Sequence, residues 1–549
     1  MNEKLGKSIL FTFALLVIAQ LSGCIRQFGT GGTGELVVPR QQLREINPTD
    51  LSSAAVAPPS TQEATTLPTT RPATRPAVAV PLTLEEVRRW ALMNNLDLKV
   101  AVLDPTIARE TLSAEEARFE SIFFANVNYS KTDAPTSSKL SSSQAESVGL
   151  EAGVRVPLQT GGVLQFSLPM NRFETNNEFS TLNPAYTADY VASISQPLLR
   201  GGGFGVNAQP IRVAFYAYQQ SEARTKLAVI GVLADIDRVY WQLYAARGAL
   251  EVRKAEYDLA AAQLERARRQ VRAGTMGEPE VVRAEAGVAD SLEAIITAEN
   301  LVRLRQRDMK RMLRQPGMEL DSTTIIVPAT LPGALFYKLD SEQLVRVALA
   351  QRMEMLDLEL QLAQQAANIG VARNDLLPLV NLNYTYSISG LGSSLNNALG
   401  MAGNHDFDNH QVGVSVEVPI GNEAAKARLR GALASRLQVL ASREQRAAAI
   451  AQEVLNALDR LEANWQRIIA ARKRVIYSQR VLDVENRQFG QGLRTSTDVL
   501  DAQTRLANAQ LSEVSAIADY QISQVDIAFA TGTVLGASKV IWEPAKIKK

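Results

Sequence analysis

The sequence predicts an α+β fold in which long coiled-coil helices are combined with strands that have one apolar and one polar face, built from two internal repeats. Three observations support this fold class. Apolar residues recur at every seventh position over long stretches, several short segments alternate apolar and polar residues, and the second half repeats the first at a register of 218 positions. Spacing of seven is typical of coiled-coil helices, and strict alternation is typical of strands with two different faces.

The chain begins with a segment that resembles a bacterial lipoprotein signal. A basic start precedes an apolar run over residues 9–19, which is too short to span a membrane comfortably. Residues 21–24, LSGC, resemble a lipobox, so we predict a signal peptide over residues 1–23 and lipidation of Cys24. The residue after this cysteine is Ile25 and not Asp, and in such lipoproteins this pattern resembles a signal for the outer membrane. An ordinary signal peptide with an incidental cysteine is the alternative.

Residues 24–80 are rich in Pro, Thr and Ala and show no apolar period. We expect a mostly disordered tether behind the lipid anchor. After the signal, no apolar run reaches the ~18 residues of a membrane-spanning helix. If the chain crosses a membrane, it must therefore do so as a β-barrel.

The composition excludes several classes of function. Lys and Arg total 58 and Asp and Glu total 57, so no excess of basic charge points to nucleic acid. Two His and one Cys exclude a disulfide within one chain and Cys-rich metal centres. No nucleophile–base pair or phosphate loop is visible, so we predict neither an enzyme nor a cofactor. His405, Asp406, Asp408 and His410 have a spacing that would allow a weak metal site, but a solvated loop between strands is the preferred interpretation.

Each repeat is predicted to contain a long helix that turns at a Gly into a returning helix. The long helices are expected from about Asn207 to Arg272 and from about Asn422 to Gln491, each roughly 100 Å long. Their apolar series are Ile236, Leu243, Leu250, Tyr257, Leu264 and Val271, and then Val454, Leu461, Ile468, Val475, Leu482 and Phe489. We place the first repeat at residues 81–320, the second at 321–536 and a tail at 537–549.

The alternating segments between the helices predict strands with one apolar and one polar face. They are residues 123–130, 190–195, 380–387 and 412–418, with two extra segments, 148–158 and 163–170, around a turn at Thr160. Four to six strands cannot close a membrane barrel alone, because open edges in lipid leave backbone groups unsatisfied. We therefore expect an oligomer, and three copies would supply about 12 to 18 strands. The extra hairpin could enlarge the barrel or lie above it as an extracellular flap.

From about Pro81 to Gly536 the chain resembles the TolC family of outer-membrane efflux proteins. The most specific matches are Gln196–Gly202, QPLLRGG, and Gly492–Gln503, GLRTSTDVLDAQ. The resemblance implies a non-enzymatic homotrimer, with a shared β-barrel in the outer membrane and a helical barrel in the periplasm. It also implies an exit duct for efflux or type I secretion, joined to an inner-membrane pump through a periplasmic adaptor. The competing interpretation is a structural coiled-coil lipoprotein without channel activity, which would have no use for the strands.

The resemblance also assigns roles at the periplasmic entrance. Asp498 and Asp501 match aspartates that ring this entrance in the family, where the six carboxylates of a trimer would favour cations. Thr495 with Asp498 also resembles a capping box, so helix capping is the alternative for Asp498. Gly274 and Gly492 mark the hairpin tips, where family members meet the adaptor, although Gly is also the ordinary choice at a helix end.

The contacts that close the entrance are expected to differ from those of well-known members. Arg494 matches a family arginine that helps to hold the entrance closed. Phe489 stands where those members carry a gating tyrosine, Glu280 where they carry an aspartate, and Pro279 where they carry a hydroxyl residue. Arg494 with Glu280 is the candidate replacement contact, and an ordinary surface arginine is the alternative.

Overall fold

A computed structural model describes residues 79–137, 141–333 and 335–541. The chain divides into two units, residues 1–74 and 75–549, and every described residue belongs to the second. The predicted signal peptide, Cys24 and nearly all of the predicted tether lie outside the described residues, as do residues 542–549. The assignments made for these segments stay predictions.

The first half of the described chain contains three short helices, then strands, then a long helical hairpin. Its helices are α1 Leu84–Asn94, α2 Leu96–Ala101, α3 Leu103–Glu116, α4 Phe204–Asn207, α5 Gln209–Arg272 and α6 Pro279–Leu313, with a 3-10 turn at Ala117–Phe119. With 64 residues, α5 is about 100 Å long. It lies antiparallel to α6, as the Gly turn between them predicts.

The second half has a corresponding long hairpin. Its helices are α7 Ser341–Gln351, α8 Met353–Asn374, α9 Leu395–Gly403, α10 Glu423–Gly490, α11 Ser496–Ala530 and α12 Val534–Ala537. The long helix α10 has 68 residues and packs along α11. Among the described residues, no helix combines the length and apolar character needed to cross a bilayer.

The strands form two sheets. They are β1 Ala79–Leu82, β2 Ile122–Asp133, β3 Gln144–Pro157, β4 Val163–Thr175, β5 Ala185–Pro197, β6 Ile325–Pro328, β7 Leu379–Gly392 and β8 Asp408–Glu417. β1 and β6 pair in parallel beside the apolar cluster that joins α1 to α5. The other six form one antiparallel sheet in the order β2-β3-β4-β5-β7-β8. The sequence left the number of strands open between four and six, and this sheet has six.

The extra hairpin is β3–β4, and its turn faces the helices. The Gly203 N–H, just before α4, donates to the Thr160 carbonyl at 2.8 Å. The side chain of Asn207 in α4 lies so close to Gly161 that a Cβ added to this glycine would be 2.5 Å from Asn207 Nδ2. The flap alternative is therefore wrong. The hairpin lies within the sheet and widens it, because both of its strands find antiparallel partners there.

The predicted apolar seam is buried in α10 but shifts in α5. In α10 the buried members are Val454, Leu461, Ile468, Leu482 and Phe489. In α5 only Ile236 and Leu243 of the predicted series are fully buried, and nearer the tip the buried residues are Glu256, Ala260, Gln263 and Ala267. The small alanines let α11 approach closely, as shown by Gln503, which donates to the Leu259 carbonyl at 3.4 Å. The larger side chains of the predicted series are therefore displaced to the edge of the contact.

Candidate functional site

The two long hairpins end in matching glycine turns. Gly274 follows α5 and Gly492 follows α10, with φ of 72° and 76°. In each turn the next residue donates its N–H to a carbonyl five positions earlier, that of Gln270 in one hairpin and Gln488 in the other. No atom lies within 4 Å of a Cβ built on either glycine. The left-handed backbone, and not a lack of space, therefore requires glycine here.

Asp498 caps the start of α11. Its Oδ2 accepts the Thr495 N–H at 2.9 Å and the Thr495 hydroxyl at 2.8 Å, while its own N–H donates to that hydroxyl at 3.3 Å. The two hydrogen bonds that Asp498 accepts hold the pKa of its carboxyl below the usual value, and the bond from the Thr495 backbone N–H has the larger effect. Because the group stays ionised at neutral pH, a capping role and an entrance role are compatible.

Asp501 lies three positions further along α11, on the same helix face as Asp498. Its side chain is exposed and contacts no hydrogen-bond or ion-pair partner among the described residues. Capping therefore accounts for Asp498 only. The carboxylate of Asp501 is available to solvent and solutes.

The candidate contact between Arg494 and Glu280 is not formed within the chain. Arg494 Nε lies 3.2 Å from Glu485 Oε2 and donates to Gln488 Oε1 at 2.9 Å. Both partners lie on the last turns of α10, within reach of a side chain in the turn that follows them. The sequence analysis did not identify Glu485 as the partner of Arg494, because nothing in its spacing distinguishes it from the other charged residues of α10.

Glu280 instead ties the first hairpin to the second. Its carboxylate accepts the backbone N–H of Ser496 at 2.8 Å and pairs with Arg283 at 2.5 Å. Ser496 begins α11, and the first N–H groups of a helix have no partner inside the helix. A carboxylate from a neighbouring hairpin satisfies this donor, so the contact is a second cap supplied from 216 positions away.

Phe489 is fully buried and packs between the two helices of the second hairpin. Its cluster contains Leu482, Val499, Ala502 and Leu506, with Met276 of the first hairpin against it. The structure thus gives Phe489 a packing role. A tyrosine hydroxyl at this position would need a partner inside an apolar cluster.

Sequence reasoning also missed contacts between helices near the hairpin tips, one between the two hairpins and one within the first. Arg266 of α5 donates to Asn486 of α10 at 3.1 Å, and Arg268 joins α5 to Glu285 of α6 at 2.9 Å. The first pair is separated by 220 positions. No local spacing rule identifies such partners, because only the packing of the helices brings them together.

Among the described residues, no group of three or more His, Cys, Asp or Glu side chains is arranged to hold a metal ion. The sequence analysis placed His405, Asp406, Asp408 and His410 in a loop between strands. In the structure, Asp408 and His410 belong to β8. There His410 Nδ1 lies 2.9 Å from the Tyr384 hydroxyl, while His405 contacts the Gly403 carbonyl.

Loss of the Thr495 hydroxyl is expected to loosen the first turn of α11. Thr495→Ala removes two side-chain contacts of the capping box and should cost about 1 kcal/mol of helix stability. We expect faster amide hydrogen exchange at the start of α11 and no change in the middle of the helix. Thr497→Ala, which alters a neighbouring exposed Thr that makes no cap contact, is the matched control. Equal exchange in both variants would contradict the capping role.

A family model describes this arrangement of hairpins and strands. Residues 164–313 and 344–533 match the model described as outer membrane efflux protein. The chain belongs to this family. The matched residues include both long hairpins and the candidate entrance residues, so the match to efflux proteins covers the candidate site.

This efflux protein resembles known outer-membrane proteins in sequence and in structure. Outer membrane protein TolC of Vibrio cholerae serotype O1 is 23% identical over 321 residues, 58% of this chain and 71% of the relative. TolC of Escherichia coli strain K12 is 28% identical over 207 residues, 36% of this chain and 42% of the relative. The outer-membrane channel OprN superposes with a TM-score of 0.63 at 19% identity, covering 82% of this chain and 90% of OprN. The Campylobacter jejuni CmeC outer membrane channel gives 0.62 at 16%, covering 82% and 85%. These structures show that the chain has the TolC-like fold.

Proposed function

We propose that this protein is the exit channel of a tripartite efflux or type I secretion system, a passive, gated conduit from the periplasm to the exterior. The observation that carries the proposal is the six-stranded sheet with one apolar face, continued by helical hairpins about 100 Å long. A structural lipoprotein without channel activity would need the helices but not the sheet.

The apolar face of the sheet suits contact with lipid. On β3 it runs from Val148 to Val156, about 27 Å along the strand. Tilted in a barrel, this length covers most of an apolar band about 25 Å tall. Tyrosines lie in the rows at both ends of this band, as in the two aromatic girdles of outer-membrane barrels. Tyr129 and Tyr186 lie in the row of Val148, and Tyr384 lies in the row of Val156. The opposite face is polar and would line the water-filled channel.

The open edges of this sheet support a homotrimer. Among the described residues, β2 and β8 each have only one neighbouring strand, and unpaired backbone groups are costly in lipid. Joining β8 of one copy to β2 of the next would close a barrel, and three copies of six strands supply 18.

Unpartnered apolar side chains on the helices support the same assembly. Leu455, Ile469 and Ile476 are exposed on α10 at multiples of seven, and Val282 and Ile296 are exposed on α6 fourteen apart. Such a period is typical of a coiled-coil seam, and it has no partner among the described residues. A second copy would supply one.

At the proposed entrance, threefold symmetry would bring six carboxylates together, those of Asp498 and Asp501. We propose that they favour cations at the mouth and that Arg494, Glu280 and Phe489 stabilise its closed form from within each copy. The tips at Gly274 and Gly492 would meet a periplasmic adaptor and, through it, an inner-membrane pump.

Lipidation at Cys24 would add an anchor in the outer membrane. The proposal also keeps the two repeats at residues 81–320 and 321–536.

Conductance across a planar bilayer tests the proposal. The purified full chain should give small, long-lived, cation-selective current steps. In Asp498→Asn/Asp501→Asn the ratio of cation to anion permeability should fall towards one, because the carboxylates are neutralised while their shape is kept. Asp483→Asn removes an exposed carboxylate from α10 of the same hairpin and should leave selectivity nearly unchanged.

The outcomes separate the two interpretations. Channels whose selectivity survives the double substitution would keep the exit duct and leave the two aspartates as helix-start residues only. No current from a verified, membrane-inserted trimer would favour the structural lipoprotein.

A further inference from the structure

A shallow groove lies on the second hairpin, further from the hairpin tip than the candidate entrance residues. It is lined chiefly by Lys473, Arg474, Tyr477 and Val481 of α10 and by Arg505 of α11. Its volume is about 500 Å³. Sites for small organic ligands occupy about 300–1,000 Å³, so the groove is large enough for one such molecule.

The cations of this groove are not compensated. Lys473, Arg474 and Arg505 are exposed, and none has an ion-pair or hydrogen-bond partner in the described part of the chain. Other arginines of α10 do have partners. Arg467 lies 3.3 Å from Asp519, and Arg472 lies 3.3 Å from Glu513. The positive potential of the groove is therefore left to attract an anion.

Between the cations the surface is apolar. Tyr477 is 60% exposed and Val481 43% exposed, and the two lie one helical turn apart. The guanidinium of Arg480 lies 6.0 Å from the centre of the Tyr477 ring, at the edge of the groove. An exposed apolar surface with a charged rim is typical of a binding site.

The groove is distinct from the acidic pair, although it lies on the same face of α11. Arg505 follows Asp501 by four positions, one helical turn further from the tip. Charge on this face therefore changes from negative to positive within about 6 Å. A ligand that suits the groove would be repelled by the carboxylates, so the two features select different solutes.

We propose that this groove binds anionic amphiphiles, molecules with an aromatic or alicyclic body and one carboxylate or sulfonate group. The acid group meets Lys473, Arg474 and Arg505, and the body covers Tyr477 and Val481. The proposal goes beyond the exit channel and does not depend on it, because binding can be measured at equilibrium without transport.

Calorimetric titration of the purified full chain, in a nonionic detergent, with naphthalene-2-sulfonate tests the proposal. The wild type should bind the sulfonate and should bind it more weakly as NaCl is raised. Lys473→Gln/Arg474→Gln/Arg505→Gln should weaken binding roughly tenfold, since exposed ion pairs each contribute modestly. Arg467→Gln/Arg472→Gln removes cations that already have partners and is the matched control, with an affinity within about twofold of the wild type. Circular dichroism verifies that all variants fold.

Three results would overturn the proposal. These are equal affinity of the triple variant and the wild type, equal binding of the uncharged naphthalene-2-methanol, and no binding by the wild type, as expected if a second copy covers the groove. Failure of the exit-channel function would appear differently, as binding without conductance.

Discussion

Val414→Arg is expected to prevent stable insertion of the protein into a membrane, whereas Ser415→Arg is not. The two positions are neighbours on the edge strand β8 and face opposite sides of the sheet. Val414 is 62% exposed, and Val412 and Val416 on the same face are exposed as well. An arginine facing lipid costs about 2–4 kcal/mol at the bilayer midplane and less towards the interfaces, and a trimer carries this cost in each copy.

The measurement is the yield of heat-resistant oligomer recovered from the outer membrane, or from liposomes after reconstitution. Ser415→Arg introduces the same side chain one position away, towards the proposed water-filled side, so it controls for size and charge. Helical circular dichroism in detergent should be alike in both variants. Equal insertion of the two variants would show that the apolar face of the sheet does not contact lipid.

Arg88→Met is expected to destabilise the folded chain by about 3–5 kcal/mol. Arg88 of α1 holds Asp237 of α5 through two hydrogen bonds, from Nε at 2.8 Å and from Nη2 at 2.7 Å. The side chain of Asp237 is only 2% exposed. Removing the arginine leaves a buried carboxylate without its main partner, while the apolar cluster still holds α1 against the long helix. The midpoint of thermal unfolding, followed by circular dichroism, measures the loss.

The pH dependence of this loss has a defined sign. Burial raises the pKa of Asp237 above its usual value, although Arg88 opposes the shift. In Arg88→Met the opposition is gone, so the pKa rises further. A carboxyl with a raised pKa binds its proton more tightly in the folded state, so its contribution to stability is largest in acid and is lost as pH rises through the raised value. The difference in unfolding midpoint between variant and wild type should therefore be larger at pH 8 than at pH 5.

Two further variants separate the ion pair from other effects. Arg88→Met/Asp237→Leu removes both charges and should recover most of the stability, since no buried charge remains. Arg89→Met alters the exposed neighbour on α1 and should change stability by no more than about 0.5 kcal/mol. A double variant as unstable as Arg88→Met would contradict the buried-charge explanation.

Much of the fold could be predicted because its signals are local. The long helices were expected over residues 207–272 and 422–491 and are observed at Gln209–Arg272 and Glu423–Gly490. A seven-residue period marks a helix wherever it packs, and a glycine at a helix end marks the turn. The capping box at Thr495 and Asp498 was predictable for the same reason, because its partners are three residues apart.

The contacts around the entrance residues could not be predicted. Arg494 has Glu485 as its ion-pair partner, and Glu280 caps α11 of the other hairpin. The apolar period placed Leu250 and Leu264 on the seam of α5, but alanines at neighbouring positions let α11 approach on another face. Which of two nearby faces becomes the contact depends on the side chains of the partner helix, which a periodicity in one helix does not describe.

The sequence by itself determined the long helical hairpins, the six alternating strands, their order and the two faces of each of these strands, because helix period, strand alternation and glycine turns are properties of neighbouring residues. Only the tertiary structure decided that six strands form one sheet, that the β3–β4 hairpin turns at the helices, and that Phe489 is buried. Each of these depends on residues far apart in the chain. Their pairing follows from close packing and from the need of each buried polar group for a partner.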